Sequence, residues 1–202
     1  MDVVQQFTSL FKSVKRGERF VLGIDGLSRS GKTTLVKRLG KVLENLNIPY
    51  RILHIDDFIV ERSKRYNTGY DEWYEYYSLQ WDVFWLKEHF FEKLPISDTL
   101  LLPFYDHEKD QQELKEVGLK DAAVVIVEGV FLLREEWGSL FDYTVFLDCP
   151  REVRFSRETS ETQLNLQKFE QRYWKAEDFY LDTESPKDKA DLIMSCQLIN
   201  VT

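Results

Sequence analysis

The stretch Gly26-Leu27-Ser28-Arg29-Ser30-Gly31-Lys32-Thr33 constrains this chain more than any other feature. Its glycines let the backbone curl so that several N–H groups point at one anion. An apolar run, Phe20 to Ile24, leads into the loop. Leu35, Leu39, Val42, Leu43 and Leu46 then mark one face of a helix over Lys32 to Leu46. Strand, glycine loop and helix in that order set a phosphate at the positive end of a helix dipole. The pattern predicts that Gly26, Ser28, Arg29, Ser30, Gly31, Lys32, Thr33 and Thr34 hold the phosphates of a nucleoside triphosphate. Lys32 is placed to reach the β- and γ-phosphates, and the Thr33 hydroxyl to ligate Mg2+.

The rest of the chain repeats this alternation. Tyr50 to Ile55, Leu100 to Phe104, Ala122 to Val127, Tyr143 to Leu147 and Ala190 to Ser195 are short apolar runs that read as strands. Helical spacing marks Val3 to Val14, ended by Gly17, and Val83 to Lys93. Gln111 to Lys120 is polar and predicts an exposed excursion. From Arg151 to about Tyr180 a charged helical region carries an apolar stripe of Leu166, Phe169, Tyr173, Ala176 and Tyr180. These elements predict an α/β fold: a P-loop NTPase-type three-layer α/β/α arrangement with a mostly parallel sheet of about five strands. A helical lid is expected over residues 151–180. No repeat or linker divides the 202 residues, which predicts a single domain over 1–202.

The formal charge of −8 argues against nucleic acid or an anionic membrane held by bulk charge. No run approaches the ~20 apolar residues that span a bilayer, and no leader is evident, so a cytoplasmic, reducing location is expected. The two cysteines, Cys149 and Cys196, lack metal-ligand spacing, and Cys149 reads as a buried free thiol. Aromatic residues crowd between Tyr66 and Trp85. Most such rings belong to a core or a subunit contact, so a homo-oligomer stays open, but a face could also stack on a ligand ring.

The loop alone does not say what the triphosphate is for. A GTPase would carry an Asn-Lys-x-Asp base-reading motif and a transporter ATPase a Leu-Ser-Gly-Gly-Gln signature. Neither occurs, which favours a small-molecule kinase. Phosphoryl transfer also needs carboxylates for the metal and for the acceptor proton. Asp56-Asp57 and Glu128 stand at the ends of apolar runs, where an open α/β sheet lines its ligand crevice.

In order, the phosphate loop, Asp56-Asp57-Phe58, Pro103-x-Tyr105-Asp106 and Val125-Ile-Val-Glu-Gly129 resemble the uridine kinase and phosphoribulokinase family. Asp148 to Arg157 is similar to the start of the family's lid, and Pro186 to Ile193 to its closing strand. The resemblance implies transfer of the ATP γ-phosphoryl group to a hydroxyl, the 5′-OH when the acceptor is a nucleoside. It implies Asp56 as catalytic base, with Thr33, Asp56 and Glu128 around Mg2+. It also implies Lys32, Arg154 and Arg157 on the transferring phosphate, with Arg172 and Lys175 further along the lid. Asp57, Tyr105, Asp106, His107 and Arg154 are the implied acceptor contacts.

Departures fall on the acceptor side and the lid. Where uridine kinases place a base-holding His after Pro-x-Tyr-Asp, this chain has Asp110. Glu158 and Glu161 stand where lid arginines are expected. Pantothenate, nicotinamide riboside or a sugar are therefore alternative acceptors, and a nucleotide-binding protein without kinase turnover is the reading from another class.

Overall fold

The computed structural model describes residues 3–15 and 17–198. The chain opens with α1 (Val3–Lys12), then β1 (Phe20–Gly26), α2 (Lys32–Asn45) and β2 (Tyr50–His54), which ends in a 3-10 turn, Ile55–Phe58. Three short helices follow: α3 (Arg62–Arg65), α4 (Glu72–Ser78) and α5 (Val83–His89). Strands β3 (Thr99–Asp106), β4 (Gln111–Gly118), β5 (Val124–Gly129) and β6 (Tyr143–Asp148) come next. The lid region contains α6 (Arg151–Phe155), α7 (Ser160–Gln163), α8 (Leu166–Lys168), a π-helical turn Phe169–Tyr173, and α9 (Trp174–Glu184). Helix α10 (Pro186–Lys189) and β7 (Leu192–Ser195) complete the described fold.

Five strands form one parallel sheet in the order β2-β5-β1-β6-β7. Strand β1 is central and β5 beside it is buried throughout, which explains their unbroken apolar runs. Side-chain alternation sorts the two faces. Leu22, Ile24 and Ile126 pack on one side with Phe7 and Phe11 of α1 and Leu35, Leu39 and Leu43 of α2. Val21, Val125 and Val127 face the other side, against Phe131, Trp137, Tyr180 and the helices after β2. This is the expected three-layer arrangement.

Two expectations are corrected. Gln111 to Lys120 is not a loose excursion: β4 pairs antiparallel with β3 along its length, from Thr99 opposite Gly118 to Asp106 opposite Gln111. The hairpin stands apart from the main sheet, and β4 has no fully buried residue, so it lacks the apolar run that marks a core strand. Cys149 is not a free thiol but is joined to Cys196. These residues directly follow Asp148 and Ser195, a registered pair of β6 and β7, so adjacent strand ends deliver the two sulfurs together. A separation of 47 residues hides that proximity in the sequence.

The aromatic cluster goes mostly to the core. Tyr77, Trp81, Phe131, Trp137 and Tyr180 meet edge-on or tilted at centroid separations of 5.0–6.4 Å. The Trp81 indole N–H also donates to Ile55 O at 2.9 Å, fixing the turn that carries Asp56.

Candidate active site

β1 ends in the glycine loop. Gly31, the residue before α2, has φ 106°, a left-handed conformation that costs glycine nothing. Gly26 has φ +152°, and a Cβ there would lie 2.8 Å from Ser30 Oγ and 2.9 Å from Leu147 Cβ. The loop and α2 therefore form one wall of a cleft of about 890 Å³. Ser28, Arg29, Gly31, Lys32, Thr33 and Thr34 line that wall. Gly26 and Ser30 lie behind it, and Ser30 Oγ is buried without a hydrogen-bond partner.

Lys32 folds back on the loop, donating from Nζ to Gly26 O at 2.8 Å and Leu27 O at 3.1 Å. Burial pushes its ammonium pKa down, while Glu128, Asp56 and Asp25 pull it up. Asp25, fully buried, takes N–H bonds from Gly26, Leu132 and Leu133 and the hydroxyl of Tyr180. It ties the end of β1 to the segment after β5 and to α9, and its carboxyl is raised chiefly by burial.

Register brings the carboxylates to the loop. Ile24 pairs with Glu128 across β1 and β5, and His54 pairs with Glu128 across β2 and β5. Thr33 Oγ1 donates to Glu128 Oε1 at 3.0 Å, and His54 Nδ1 lies 2.7 Å from the same oxygen. Burial pushes the Glu128 carboxyl up, but His54, Lys32 and the Thr33 hydroxyl together hold it below its ordinary value. Asp56 lines the cleft at its open side, reachable by solvent yet crowded by protein atoms, which raises its pKa against the pull of Lys32. Asp57 is exposed and lies outside the cleft lining.

The oxygen donors suit a hard divalent ion. Among the described residues no three His, Cys, Asp or Glu side chains form a metal cage. Mg2+ needs only one or two protein carboxylates and completes its shell with phosphate and water. Thr33, Glu128 and Asp56 could supply the protein's share.

Gly129 shows how tightly this corner is built. A Cβ there would fall 2.0 Å from Ile55 Cγ2, on the residue preceding Asp56. Gly129→Ala is expected to cost about 1–3 kcal/mol in urea unfolding, through overpacking, and to lower turnover as Asp56 shifts. Wild-type values for both would mean that Ile55 yields freely.

The lid arginines divide. Arg154 is buried and forks onto Glu177, NH1 to Oε1 at 2.8 Å and NH2 to Oε2 at 2.9 Å, with NH1 also 3.1 Å from Ser28 O. Arg157 is half-buried, lines the cleft, and donates to Arg29 O at 2.7 Å. Glu158 pairs with Arg29 at 2.9 Å, bridging the lid to the phosphate loop. Arg172 does not reach the cleft: it is buried and binds Glu75 Oε2 at 3.0 Å, Glu72 O and Arg65 O. Lys175 sits 3.6 Å from Asp71 on the surface.

Of the expected acceptor contacts, His107 lines the cleft and Tyr105 and Asp106 do not. Tyr105 is buried and donates to Asp110 Oδ1 at 2.6 Å, while Asp106 receives the Glu108 and Lys109 N–H groups in the hairpin turn. Sequence reasoning missed Gln80, His54 and Glu177, and placed Tyr76 only within the aromatic run from Tyr66 to Trp85. Gln80 is buried in the cleft wall with Oε1 unpartnered. His54 had a signal, as a polar end to an apolar strand beside Asp56. Glu177 had none, because its partners come from the loop and α6.

A glycine loop holding Lys32 at the end of a central parallel strand, with carboxylates from two neighbouring strand ends, is the arrangement of a P-loop kinase fold. The family model for the phosphoribulokinase / uridine kinase family matches residues 21–161, and the chain belongs to that family. It is similar to the uridine kinase of Borrelia garinii subsp. bavariensis, 28% identical over 189 residues, covering 86% of this chain and 85% of that one. A uridine kinase of Proteus mirabilis is 27% identical over 192 residues, with the same coverage. Among solved structures, a possible uridine kinase from Bacillus stearothermophilus is 48% identical, with TM-score 0.83 over 95% of this chain and 96% of that one.

Proposed function

We propose that this chain transfers the γ-phosphoryl group of Mg·ATP to a hydroxyl of a small, nucleoside-like acceptor. The observation that carries this reading is the meeting of Lys32, Thr33, Glu128 and Asp56 in one cleft. Lys32 already rests on two carbonyl oxygens, and phosphate oxygens are stronger acceptors for the same ammonium. Bound Mg2+ would neutralise charge on the phosphate oxygens. Asp56 would orient the acceptor hydroxyl and take its proton, and its raised pKa makes it a better base than an ordinary carboxylate. Arg157 is the more available lid cation, since Arg154 is engaged by Glu177. Guanidinium forks suit the charge that gathers on the transferring group.

Asp110 supports a second reading, with an acceptor other than uridine. It stands where uridine kinases place a base-holding His, and it is already bonded by Tyr105. ADP release measured across nucleosides, pantothenate, nicotinamide riboside and sugars separates the two. Turnover with nucleosides alone supports the first, and turnover with another compound supports the second. Tight Mg·ATP binding without turnover on any of them would contradict both. Lys32→Ala is expected to weaken triphosphate binding and slow transfer together by about tenfold or more each, as loss of a charge-assisted contact implies. Unchanged binding and rate would remove the phosphate-loop reading.

A further inference from the structure

A second cavity, of about 660 Å³, opens beside the cleft, and Ile59 and His107 line both. It begins one turn beyond Asp56, where the far end of an acceptor would lie if its hydroxyl met that carboxylate. Its polar wall is cationic. Arg62 and Arg65 of α3, Lys168 of α8 and His107 face it, together with Ser63 and Asn67, and no acidic residue lines it. In a chain of net charge −8 that local reversal is not a matter of composition.

The cations are held without a direct ion pair, with Asp110 nearby: the Tyr105 hydroxyl chiefly, together with the charges of Arg62 and Arg65, holds its carboxyl below the ordinary value. Arg65 is 5% exposed, donates from Nε to Val60 O at 2.7 Å, and lies 4.9 Å from the Tyr66 ring centroid and 5.3 Å from that of Tyr105. Ring faces and a carbonyl orient a guanidinium without cancelling its charge. Lys168 lies over the Tyr173 ring at 5.4 Å. Among the described residues none of Arg62, Arg65 and Lys168 forms an ion pair with a carboxylate. Asp110, which borders the region, instead receives the backbone N–H of Arg62 at 2.9 Å and the Tyr105 hydroxyl at 2.6 Å. A buried or half-buried cation normally has an anionic partner.

We propose that this cavity binds an anionic group of the acceptor, a carboxylate or a phosphate, so that of the two acceptor readings above it favours the second, a charged hydroxy compound other than uridine. The inference rests on the kinase reading for the position of the reacting hydroxyl, but not on nucleoside identity. Arg62 and Lys168 supply charge at the rim, and Arg65 supplies a fixed guanidinium at the wall.

The test uses the full chain with a nonhydrolysable ATP analogue and Mg2+, and calorimetry on two matched pairs. Ribose is compared with ribose 5-phosphate, and glucose with gluconate. The charged member of at least one pair is expected to bind at least tenfold more tightly than its neutral partner, and to weaken as salt is raised. The pair in which this occurs tells phosphate from carboxylate. The double variant Arg62→Ala/Lys168→Ala, checked for an unchanged melting temperature, is expected to lose that preference about tenfold or more, with ATP-analogue affinity unchanged. Single variants serve if the double one melts early, since the Arg62 backbone bond to Asp110 survives the substitution. Equal binding of charged and neutral partners, or a preference untouched in the variants, would overturn the proposal. Tight charged-compound binding with no ADP release when ATP replaces the analogue would overturn the kinase reading and leave the anion site standing.

Discussion

Asp56→Asn is expected to lower kcat by about 10²- to 10⁴-fold, the range that positioned general-base catalysis supplies, while Mg·ATP affinity stays within a few fold. Asparagine keeps the size of the side chain and its place on the 3-10 turn, so the cleft wall is not disturbed. It cannot accept the acceptor proton. The Trp81 bond to Ile55 O and the close fit of Gly129 under Ile55 hold the turn by contacts that the substitution leaves alone. Stopped turnover with unchanged nucleotide binding separates Asp56 from Lys32, whose loss should impair both. A near-normal kcat in the Asn variant would remove the general-base assignment.

The second large effect is on stability and concerns the base of the lid. Arg172→Ala is expected to cost about 3–5 kcal/mol, because it leaves Glu75 charged and buried without its partner. For a chain of this size that is a fall in melting temperature of roughly 6–20 °C, which scanning calorimetry reads directly. A loss under about 1 kcal/mol would mean that the pair is no better than a solvated one. Glu75 adds a pH dependence. Burial alone would raise its carboxyl, but the Thr68 N–H and hydroxyl and the Arg172 guanidinium together hold it below 4.5. Its contribution is therefore present above pH 4.5 and is lost as pH falls through the lower folded-state value. Glu75→Gln is expected to melt earlier than wild type at neutral pH, with the gap closing in acid.

The phosphate-loop geometry was legible in the sequence because one contiguous segment makes it. Lys32 and Thr33 follow the loop directly, and Glu128 ends an apolar run, so the carboxyl ends of parallel strands bring all three to one edge of the sheet. The three-layer arrangement was legible for the same reason, since alternating apolar runs and helical stripes fix which faces are buried. What the sequence hid depends on pairing between distant segments. Strand β4 lies antiparallel on β3 with no buried residue to announce it. The bond of Cys149 to Cys196 follows from parallel register. Arg154 and Arg172 both look like lid cations, yet Glu177 and Glu75 claim them in the fold. No spacing rule could assign those partners, because each joins elements far apart in the chain. The cationic cavity is a further case, assembled from α3, the hairpin turn and α8.

Phosphoryl transfer itself is tested most directly with γ-labelled ATP. The protein, Mg2+ and a panel of neutral and anionic hydroxy compounds are incubated with the label, and products are separated by charge and mass. Label appearing on one acceptor, with stoichiometric ADP and its loss in Asp56→Asn, is the expected result. Label found only as inorganic phosphate, or retained in ATP with every acceptor, would contradict it.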